Sequence, residues 1–309
     1  MTDDKSPRAR KSGAAARNLQ FEAAAEYVAE LGEGSIWDAE AQVLYWVDIT
    51  AKRVFAFDPD TGLNRRYEMP EQVGTVVPTD RGTLLAAMES QIAELNLENG
   101  AVVKLLEIEP DLQHNRCNDG KCDPAGRLWV GTMSMKKQPN AGALYRIGPD
   151  LKPVEMISGV TTSNGIVWST DCSRMYYIDT GTRCVDEFTY DLDSGGIAGR
   201  RTVIQVDDSL GAPDGMTIDA EGMLWVALFH GAAVIQIDPR SGELLRRYAI
   251  PAKNVTSVAF GGAALETLFV TTASIAMDAD ERDRYPLAGK LFGCRPGVRG
   301  APSFRFRFE

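Results

Sequence analysis

Residues 213–228 read PDGMTIDAEGMLWVAL, a segment in which an Asp-Gly pair precedes a short apolar run. Runs equivalent to LWVA at residues 224–227 recur along the chain, beginning at residues 44, 84, 128, 176, 224 and 268. Successive starts are 40, 44, 48, 48 and 44 residues apart, the spacing expected when every repeat forms one four-stranded blade. The sequence therefore predicts an all-β fold, a six-bladed β-propeller.

A second strand-like segment follows most of these runs and ends at a turn signal, such as DPDTG at 58–62, NLENG at 96–100 and DPRSG at 238–242. Proline fixes φ and glycine accepts positive φ, so these pentapeptides favour tight turns between strands. We expect a strand near Tyr27 to pair with residues 304–308 and close the ring, which would hide edge strands. Residues 1–20, rich in Ala, Arg and Lys, are expected to form a flexible tail, and residues 21–309 a single propeller domain.

The composition narrows the range of partners and locations. The 309 residues carry a formal net charge of -10, which opposes binding to nucleic acid or to anionic membranes through a basic surface. The N-terminal segment lacks the apolar stretch of a signal peptide, so we expect a cytoplasmic protein that binds a small molecule. The oligomeric state stays open, with a monomer as one alternative. Five cysteines without CxxC spacing and two histidines disfavour a disulfide framework or a Cys/His zinc site and predict reduced, buried thiols.

Polar residues recur at similar distances before four of the apolar runs. The set, each member close to a glycine, consists of Glu33, Asn118, Asn164 and Asp214. Because the first strand of each blade lines the axis of a propeller, equivalent positions at its start should converge at one end of the channel. Two carboxylates and two amides there would suit a hard divalent cation, whereas each Asn-Gly or Asp-Gly pair taken alone is typical of a turn. The remaining two blades offer Gly74 and Thr256-Ser257, small residues expected to leave space around the ion.

Five stretches together resemble the gluconolactonase and regucalcin family, also called the senescence marker protein family. They are LGEGSIWD at 31–38, NDGKCDPAGRLWVGTM at 118–133, SNGIVWS at 163–169, DEFTYD at 186–191 and PDGMTIDAEGMLWVAL at 213–228. The resemblance implies a propeller with one divalent metal ion in the central channel, bound by Glu33, Asn164 and Asp214. It implies further that Arg116 and Asn118 contact a sugar lactone, while Asp119 organises the loop.

The native metal and the substrate are left open by these residues. Ca²⁺ is favoured, and Zn²⁺, Mg²⁺ and Mn²⁺ remain alternatives. Animal members of the family carry an acidic residue that helps to bind substrate hydroxyls where GTMSMKKQPN here has Met135, Lys136 and Lys137. This departure makes an acidic or phosphorylated lactone conceivable, although solvated lysines on a lid loop are the simpler interpretation.

The predicted activity is metal-dependent hydrolysis of a sugar lactone, such as gluconolactone or a pentonolactone, to the sugar acid. The ion would polarise the carbonyl and activate a water molecule, and Asp214 would act as general base. Neither His114 nor His230 falls at a channel position, and Cys117 should point away from the channel, so a nucleophilic triad is disfavoured. Two other interpretations are a calcium-binding or regulatory protein without turnover and a metal-dependent esterase or phosphotriesterase.

Overall fold

Each sequence repeat forms one antiparallel sheet of four strands, so the computed structural model has six sheets. The structure describes residues 19–309. The tail predicted at residues 1–20 therefore lies outside the described residues, except for its last two positions. The predicted all-β propeller of six blades is confirmed.

Blades 1 to 5 follow one another along the chain, and within each of them the chain runs from the innermost strand to the outermost. Blade 1 contains β2 (Gly32–Asp38), β3 (Val43–Asp48), β4 (Arg53–Phe57) and β5 (Asn64–Glu68), and blade 2 contains β6 (Val73–Pro78), β7 (Leu84–Met88), β8 (Gln91–Leu95) and β9 (Val102–Glu107). Blade 3 contains β10 (Asn115–Cys122), β11 (Leu128–Ser134), β12 (Gly142–Ile147) and β13 (Pro153–Val160). Blade 4 contains β14 (Ser163–Trp168), β15 (Arg174–Asp179), β16 (Cys184–Tyr190) and β17 (Ile197–Gln205), and blade 5 contains β18 (Ala212–Ile218), β19 (Leu224–Phe229), β20 (Ala233–Asp238) and β21 (Glu243–Ala249).

Blade 6 joins the two ends of the described chain. It contains β22 (Asn254–Gly261), β23 (Thr267–Ala273), β24 (Phe292–Cys294) and, outermost, β1 (Glu22–Ala23). The expected closure between Tyr27 and residues 304–308 is wrong, because Glu22 pairs with Gly293 and Ala23 with Phe292. Tyr27 instead packs on Trp46 and Phe55 in blade 1.

The innermost strands, β2, β6, β10, β14, β18 and β22, contact one another in sequence, and β22 contacts β2 again, which completes the ring. Strands near the axis are buried on both faces: all seven residues of β2 are buried. Outer strands such as β13 and β17 are largely exposed. Two short helices, a 3-10 turn at Asp208–Leu210 and α1 at Ala279–Arg284, lie in loops.

The segment 299–307, which we call the C-terminal strap, crosses the propeller face on which the innermost strands end. The Ala301 amide donates to the Ile218 carbonyl of blade 5, and the Phe306 amide donates to the Pro78 carbonyl of blade 2. Phe306 is completely buried, and Arg305 pairs with Asp38 of blade 1. A cavity of about 120 Å³ separates the strap from the ends of the inner strands. The strap therefore lies across this end of the channel, and we call the opposite end, where the inner strands begin, the mouth.

Aromatic side chains fill the space between blades. Trp46, Trp129, Trp168 and Trp225 are all buried. All five cysteines are free thiols; Cys117, Cys122 and Cys294 are buried, whereas Cys172 and Cys184 are only half-buried, so the predicted burial holds for three of the five. Cys117 packs in the apolar core, facing away from the channel as predicted.

Candidate functional site at the channel mouth

All six innermost strands have a register irregularity at the same level of the channel. The shifts lie between Glu33 and Ile36, Val73 and Thr75, Cys117 and Gly120, Asn164 and Ile166, Pro213 and Met216, and Val255 and Ser257. An extra residue in one strand bends it and redirects the adjacent side chains. The four polar residues predicted from the sequence all lie at these bulges, so one ring of equivalent positions carries them.

Glycines follow the polar residues because neighbouring inner strands approach closely there. A Cβ atom on Gly165 would lie 2.6 Å from Cβ of Met216 and 2.8 Å from the Asp214 carbonyl oxygen. A Cβ atom on Gly215 would lie 2.8 Å from Cα of Ser257. Gly165 and Gly215 therefore let the inner strand of the next blade pack against the bulge.

The small residues that blades 2 and 6 carry at the corresponding positions pack against neighbouring blades. The backbone of Cys117 and Asn118 in blade 3 occupies the position beside Gly74. Thr256 Oγ1 donates to the Gly32 carbonyl at 2.5 Å, and Ser257 Oγ lies 2.8 Å from Ser35 Oγ. These small residues thus contact the neighbouring blades, and the expectation that they leave space around an ion stays a prediction.

Hydrogen bonds connect the amides of blades 3 and 4. Asn118 Nδ2 donates to Asn164 Oδ1 at 3.2 Å and to the Ser163 carbonyl at 2.7 Å. Arg116 Nη1 donates to Asn118 Oδ1 at 2.7 Å. Asn164 Nδ2 donates to Thr180 Oγ1 at 2.7 Å, so its Oδ1 atom is directed to the Asn118 side. Three of the five predicted site residues, Arg116, Asn118 and Asn164, form one continuous chain.

The predicted carboxylates lie in the same buried group. Burial and the negative charge of Asp119 raise the pKa of Glu33 to about 8, and Arg116 opposes this rise. Burial, followed by the charges of Glu33 and Asp119, raises the pKa of Asp214 well above its usual value. Burial lowers the pKa of Arg116, and the negative charges of Glu33 and Asp214 oppose this change. These mutual effects show that residues from blades 1, 3 and 5 share one low-dielectric space.

Two channel residues were not identified as such from the sequence. Asp119 was expected to organise a loop, but it is buried in β10, where its Oδ1 accepts from the Gly120 amide at 2.7 Å. Lys121, also in β10, donates from Nζ to the Met216 carbonyl of blade 5. The positive charge of Lys121 opposes the rise in the pKa of Asp119 caused by burial. The sequence signal available for Asp119 and Lys121 was a lysine inside a buried strand, directly after an Asp-Gly dipeptide.

The donor set fits a hard cation. Within residues 19–309, the Glu33 carboxylate accepts one hydrogen bond, from the Gly34 amide at 3.1 Å, which leaves several lone pairs of a buried carboxylate unused. The negative charge of Glu33 raises the pKa of Asp214, and a cation between the carboxylates would oppose that rise. No group of three or more His, Cys, Asp and Glu gathers as metal ligands in the described part of the chain, so any site here needs an amide oxygen as well. Asn164 supplies such an oxygen.

The loops around the mouth carry the remaining residues singled out in the sequence. Met135, Lys136 and Lys137 are exposed in the loop between β11 and β12. His114 and His230 are exposed on other loops of this face, and neither lies in the channel wall. The prediction that no histidine acts from a channel position agrees with this placement.

The fold and the mouth together define a six-bladed propeller with a buried carboxylate and amide group at one end of its channel. A model of the family described as SMP-30/Gluconolactonase/LRE-like region matches residues 31–274, and the chain belongs to this family. The resemblance stated from the sequence motifs is thereby confirmed.

Three comparisons show how similar the chain is to other members. It is 40% identical over 267 residues to a Bacillus subtilis (strain 168) protein named "Putative sugar lactone lactonase YvrE", covering 86% of this chain and 91% of that protein. It is 38% identical over 280 residues to regucalcin of Danio rerio, covering 90% of this chain and 95% of that protein. The solved structure of a calcium-binding protein, regucalcin, from Agrobacterium tumefaciens str. C58 superposes with a TM-score of 0.88 at 27% identity, covering 94% of this chain and 98% of that chain. No helix in residues 19–309 is long and apolar enough to cross a membrane.

Proposed function

We propose that the protein hydrolyses a sugar lactone to the sugar acid with one divalent metal ion, and that Glu33, Asn164 and Asp214 hold this ion. Gluconolactone and pentonolactones are the substrates of first choice, Ca²⁺ is the favoured ion, and Zn²⁺, Mg²⁺ and Mn²⁺ are alternatives. The observation that carries the proposal is the meeting of buried carboxyl groups from blades 1 and 5 beside the amides of blades 3 and 4. The lactonase name of the Bacillus subtilis relative supports the same reaction.

The ion would lie among the oxygens of the three ligands. When bound, a divalent ion supplies Lewis-acid polarisation of a carbonyl group and lowers the pKa of a bound water molecule. The charge of the ion would also offset the repulsion between Glu33 and Asp214. Without the ion, the guanidinium of Arg116 opposes this repulsion. With the ion bound, the site would keep both carboxylates ionised near neutral pH.

Arg116 and Asn118 are the proposed substrate-binding residues. Arg116 Nη1 is engaged with Asn118 Oδ1 and the Cys117 carbonyl, and the other nitrogens of the guanidinium remain to bind lactone oxygens. Asn118 is fixed on both sides, by Arg116 and by Ser163 of the next blade. Both side chains are thus held before substrate arrives, which reduces the entropy lost on binding.

Asp214 is the proposed general base. The adjacent ion would keep its carboxylate ionised and able to accept a proton, and because that charge also lowers its basicity, the placement of the water would carry much of the effect. Asp214 would accept a proton from the attacking water as the water oxygen bonds to the lactone carbonyl carbon. The bond from that carbon to the ring oxygen would then break, and the ring oxygen would take the proton back from Asp214 to become a hydroxyl group, which returns Asp214 to its ionised form.

The test is a panel of five- and six-carbon aldonolactones assayed after metal removal and again after adding Ca²⁺, Mg²⁺, Mn²⁺ or Zn²⁺. We expect activity to need metal and to fall by about 10²–10⁴-fold in Asp214→Asn. Asp193→Asn, at an exposed turn between β16 and β17, is the matched control and should retain activity. Full activity without metal would refute the proposal, and faster turnover of aryl esters or organophosphates than of every lactone would favour the esterase alternative.

Calcium binding without turnover is the second candidate, because the Agrobacterium tumefaciens relative is described as calcium-binding. Calorimetry showing tight Ca²⁺ binding together with no hydrolysis across the panel would favour it. We further propose a cytoplasmic location, which suits a chain whose five cysteines are all free thiols. With a net charge of -10, neither nucleic acid nor membrane is proposed as a partner.

A further inference from the structure

Thr180 directly follows β15 and lies between the blade that supplies Asn164 and the blade that supplies Asp214. Asn164 Nδ2 donates to Thr180 Oγ1 at 2.7 Å. Thr180 Oγ1 in turn donates to the Pro213 carbonyl of blade 5 at 2.8 Å. This carbonyl and the Asp214 amide belong to the same peptide group. One hydroxyl group therefore connects the predicted ligand of blade 4 to the peptide group that precedes the predicted ligand of blade 5.

The two ends of this hydrogen-bond chain decide which way the Asn164 amide is turned. A carbonyl group only accepts hydrogen bonds, so the Thr180 hydroxyl group donates its single proton to Pro213, and its oxygen is left to accept from an NH2 group. At the other end, a guanidinium only donates, so Asn118 accepts from Arg116 through Oδ1 and presents its own NH2 group to Asn164. Both ends require the same orientation of the Asn164 amide, with Nδ2 towards Thr180 and Oδ1 towards Asn118.

The Asn164 oxygen keeps capacity for a cation in this orientation. A carboxamide oxygen has two lone pairs, and in Asn164 one of them accepts from Asn118 Nδ2 at 3.2 Å. An amide turned the other way would present its NH2 hydrogens at this place, and hydrogens repel a cation that binds through oxygen. The direction of the hydrogen-bond chain therefore decides whether blade 4 can supply a ligand.

The loop that carries Thr180 is held in place by other groups. The Thr180 amide donates to the Thr162 carbonyl at 3.0 Å, and the Arg183 amide donates to the Thr180 carbonyl at 3.1 Å. The buried Asp179 carboxylate accepts from the amides of Thr162 and Gly181, each at 3.0 Å. Because these bonds already fix the course of the backbone, the Thr180 hydroxyl group is not needed to shape the loop.

We propose that Thr180 is a positioning residue of the metal site, whose hydroxyl group holds the Asn164 amide with its oxygen available to the ion. The inference rests on the proposed function, in which Asn164 and Asp214 are ligands. Thr180 binds neither the ion nor the lactone and acts through Asn164, so its contribution is to metal affinity. Through Pro213, the same hydroxyl group also keeps the ligand of blade 4 in a fixed relation to the ligand of blade 5.

Calorimetry on the chelator-stripped 309-residue chain tests this role. Ca²⁺, Mg²⁺, Mn²⁺ and Zn²⁺ are titrated into the wild type, and the ion that binds most tightly is used for the variants. Thr180→Val keeps the shape and removes the hydroxyl group, and we expect its Kd to rise about 10–100-fold, the size usual for a group that orients a metal ligand. Thr180→Ser keeps the hydroxyl group and should stay close to the wild type.

Thr182→Val is the matched control in the same loop. Thr182 Oγ1 donates to the Asp179 carbonyl of its own turn at 2.9 Å, so this variant loses a hydroxyl group that does not reach Asn164. We expect its Kd to equal that of the wild type. Thermal unfolding of the metal-free proteins checks that each variant folds.

A second background tests whether Thr180 acts through the orientation of Asn164. A carboxylate has an oxygen at both positions, so in Asn164→Asp an oxygen faces Asn118 whichever way the group turns. We therefore expect Thr180→Val to change Kd much less in Asn164→Asp than in the wild type, a difference that a merely structural role would not produce. Neutron diffraction from wild-type crystals shows the orientation without any variant, and we expect the Asn164 ND2 group to face Thr180.

The outcomes separate this inference from the proposed function. A wild type that binds none of the four ions would overturn both, whereas metal binding with the expected order of variants but no lactone hydrolysis would support the role of Thr180 and count against the lactonase. An unchanged Kd in Thr180→Val, or a loss of the same size in Thr180→Ser or in the Asn164→Asp background, would overturn the role of Thr180 and leave the ligand set intact. An Asn164 ND2 group that faces Asn118 in the neutron map would overturn it as well, however the variants fold.

Discussion

Replacing Glu33 with glutamine tests whether this buried carboxyl group belongs to a cation site. Burial and the charge of Asp119 raise the pKa of Glu33 from 4.5 to about 8. In metal-free protein the folded state therefore binds this proton more tightly than the unfolded state does. The stability contributed by the group is complete below about pH 4.5 and is lost as the pH rises through about 8.

The size of the effect follows from the pKa difference. Each pH unit is worth about 1.36 kcal/mol, so the change from 4.5 to about 8 corresponds to about 5 kcal/mol of lost stability at high pH. Glutamine has nearly the same shape and no charge, so metal-free Glu33→Gln should avoid this loss. Saturating Ca²⁺ should reverse the order, because glutamine is the weaker ligand for a hard cation.

Urea unfolding of chelator-stripped protein at about pH 5 and about pH 9, with and without Ca²⁺, measures both effects. Without metal, we expect the stability of Glu33→Gln relative to the wild type to increase by several kcal/mol as the pH rises. Ca²⁺ should stabilise Glu33→Gln less than it stabilises the wild type. Glu98→Gln, in the exposed turn between β8 and β9, is the control for loss of one carboxylate. This account of Glu33 would be refuted if the difference in unfolding free energy between Glu33→Gln and the wild type were the same at both pH values and Ca²⁺ stabilised both proteins equally.

Three further predictions concern packing and binding. Gly165→Ala should cost about 1–3 kcal/mol in urea unfolding because its Cβ would lie 2.6 Å from Cβ of Met216, whereas Gly293→Ala, whose nearest neighbour would be 3.7 Å away, should cost little. Phe306→Ala removes a fully buried ring from the strap and should cost about 3–5 kcal/mol by the same measurement; a cost near zero would show that the strap is not part of the core. Arg116→Lys keeps the charge but loses the planar guanidinium, so we expect KM for lactones to rise with thermal stability little changed, and an unaltered KM would remove Arg116 from the binding site.

The repeat pattern predicted most of the fold because the blades are built from local antiparallel pairs. The apolar runs beginning at Leu84, Leu128 and Leu224 coincide with the starts of β7, β11 and β19. Each run is buried on both faces and lies between turns, which leaves little ambiguity about which residues form the strand. The closure of the ring was missed because β1 and β24 have only two and three residues, too few to show an alternating pattern.

The alternating Phe and Arg residues at 304–308 look like a strand yet form a strap. Phe306 makes a single bridge to Thr79, and the next amide, that of Arg307, donates to Gly126 in a different blade. Alternation records which side of the segment is buried; it does not record which strand lies beside it.

The candidate site was predicted in part. Glu33, Asn118, Asn164 and Asp214 stand at the bulges, where their distance from the apolar runs placed them, and their roles as ligands and substrate contacts stay predictions. Asp119 was misjudged because the bulge in β10 interrupts the alternation that assigns side chains to the two faces of a strand. Lys121 was overlooked because a buried lysine is uncommon, and its acceptor, the Met216 carbonyl, is 95 residues away in the sequence.

The strap also affects how reactants and products must move. Because residues 299–307 lie across one end of the channel, we expect a molecule that enters between the mouth loops to leave by the same route. If the proposed hydrolysis takes place, the acid product would stand in the path of the next incoming lactone. Turnover in a channel used from one end should slow as the acid accumulates, and this product inhibition should be competitive with substrate.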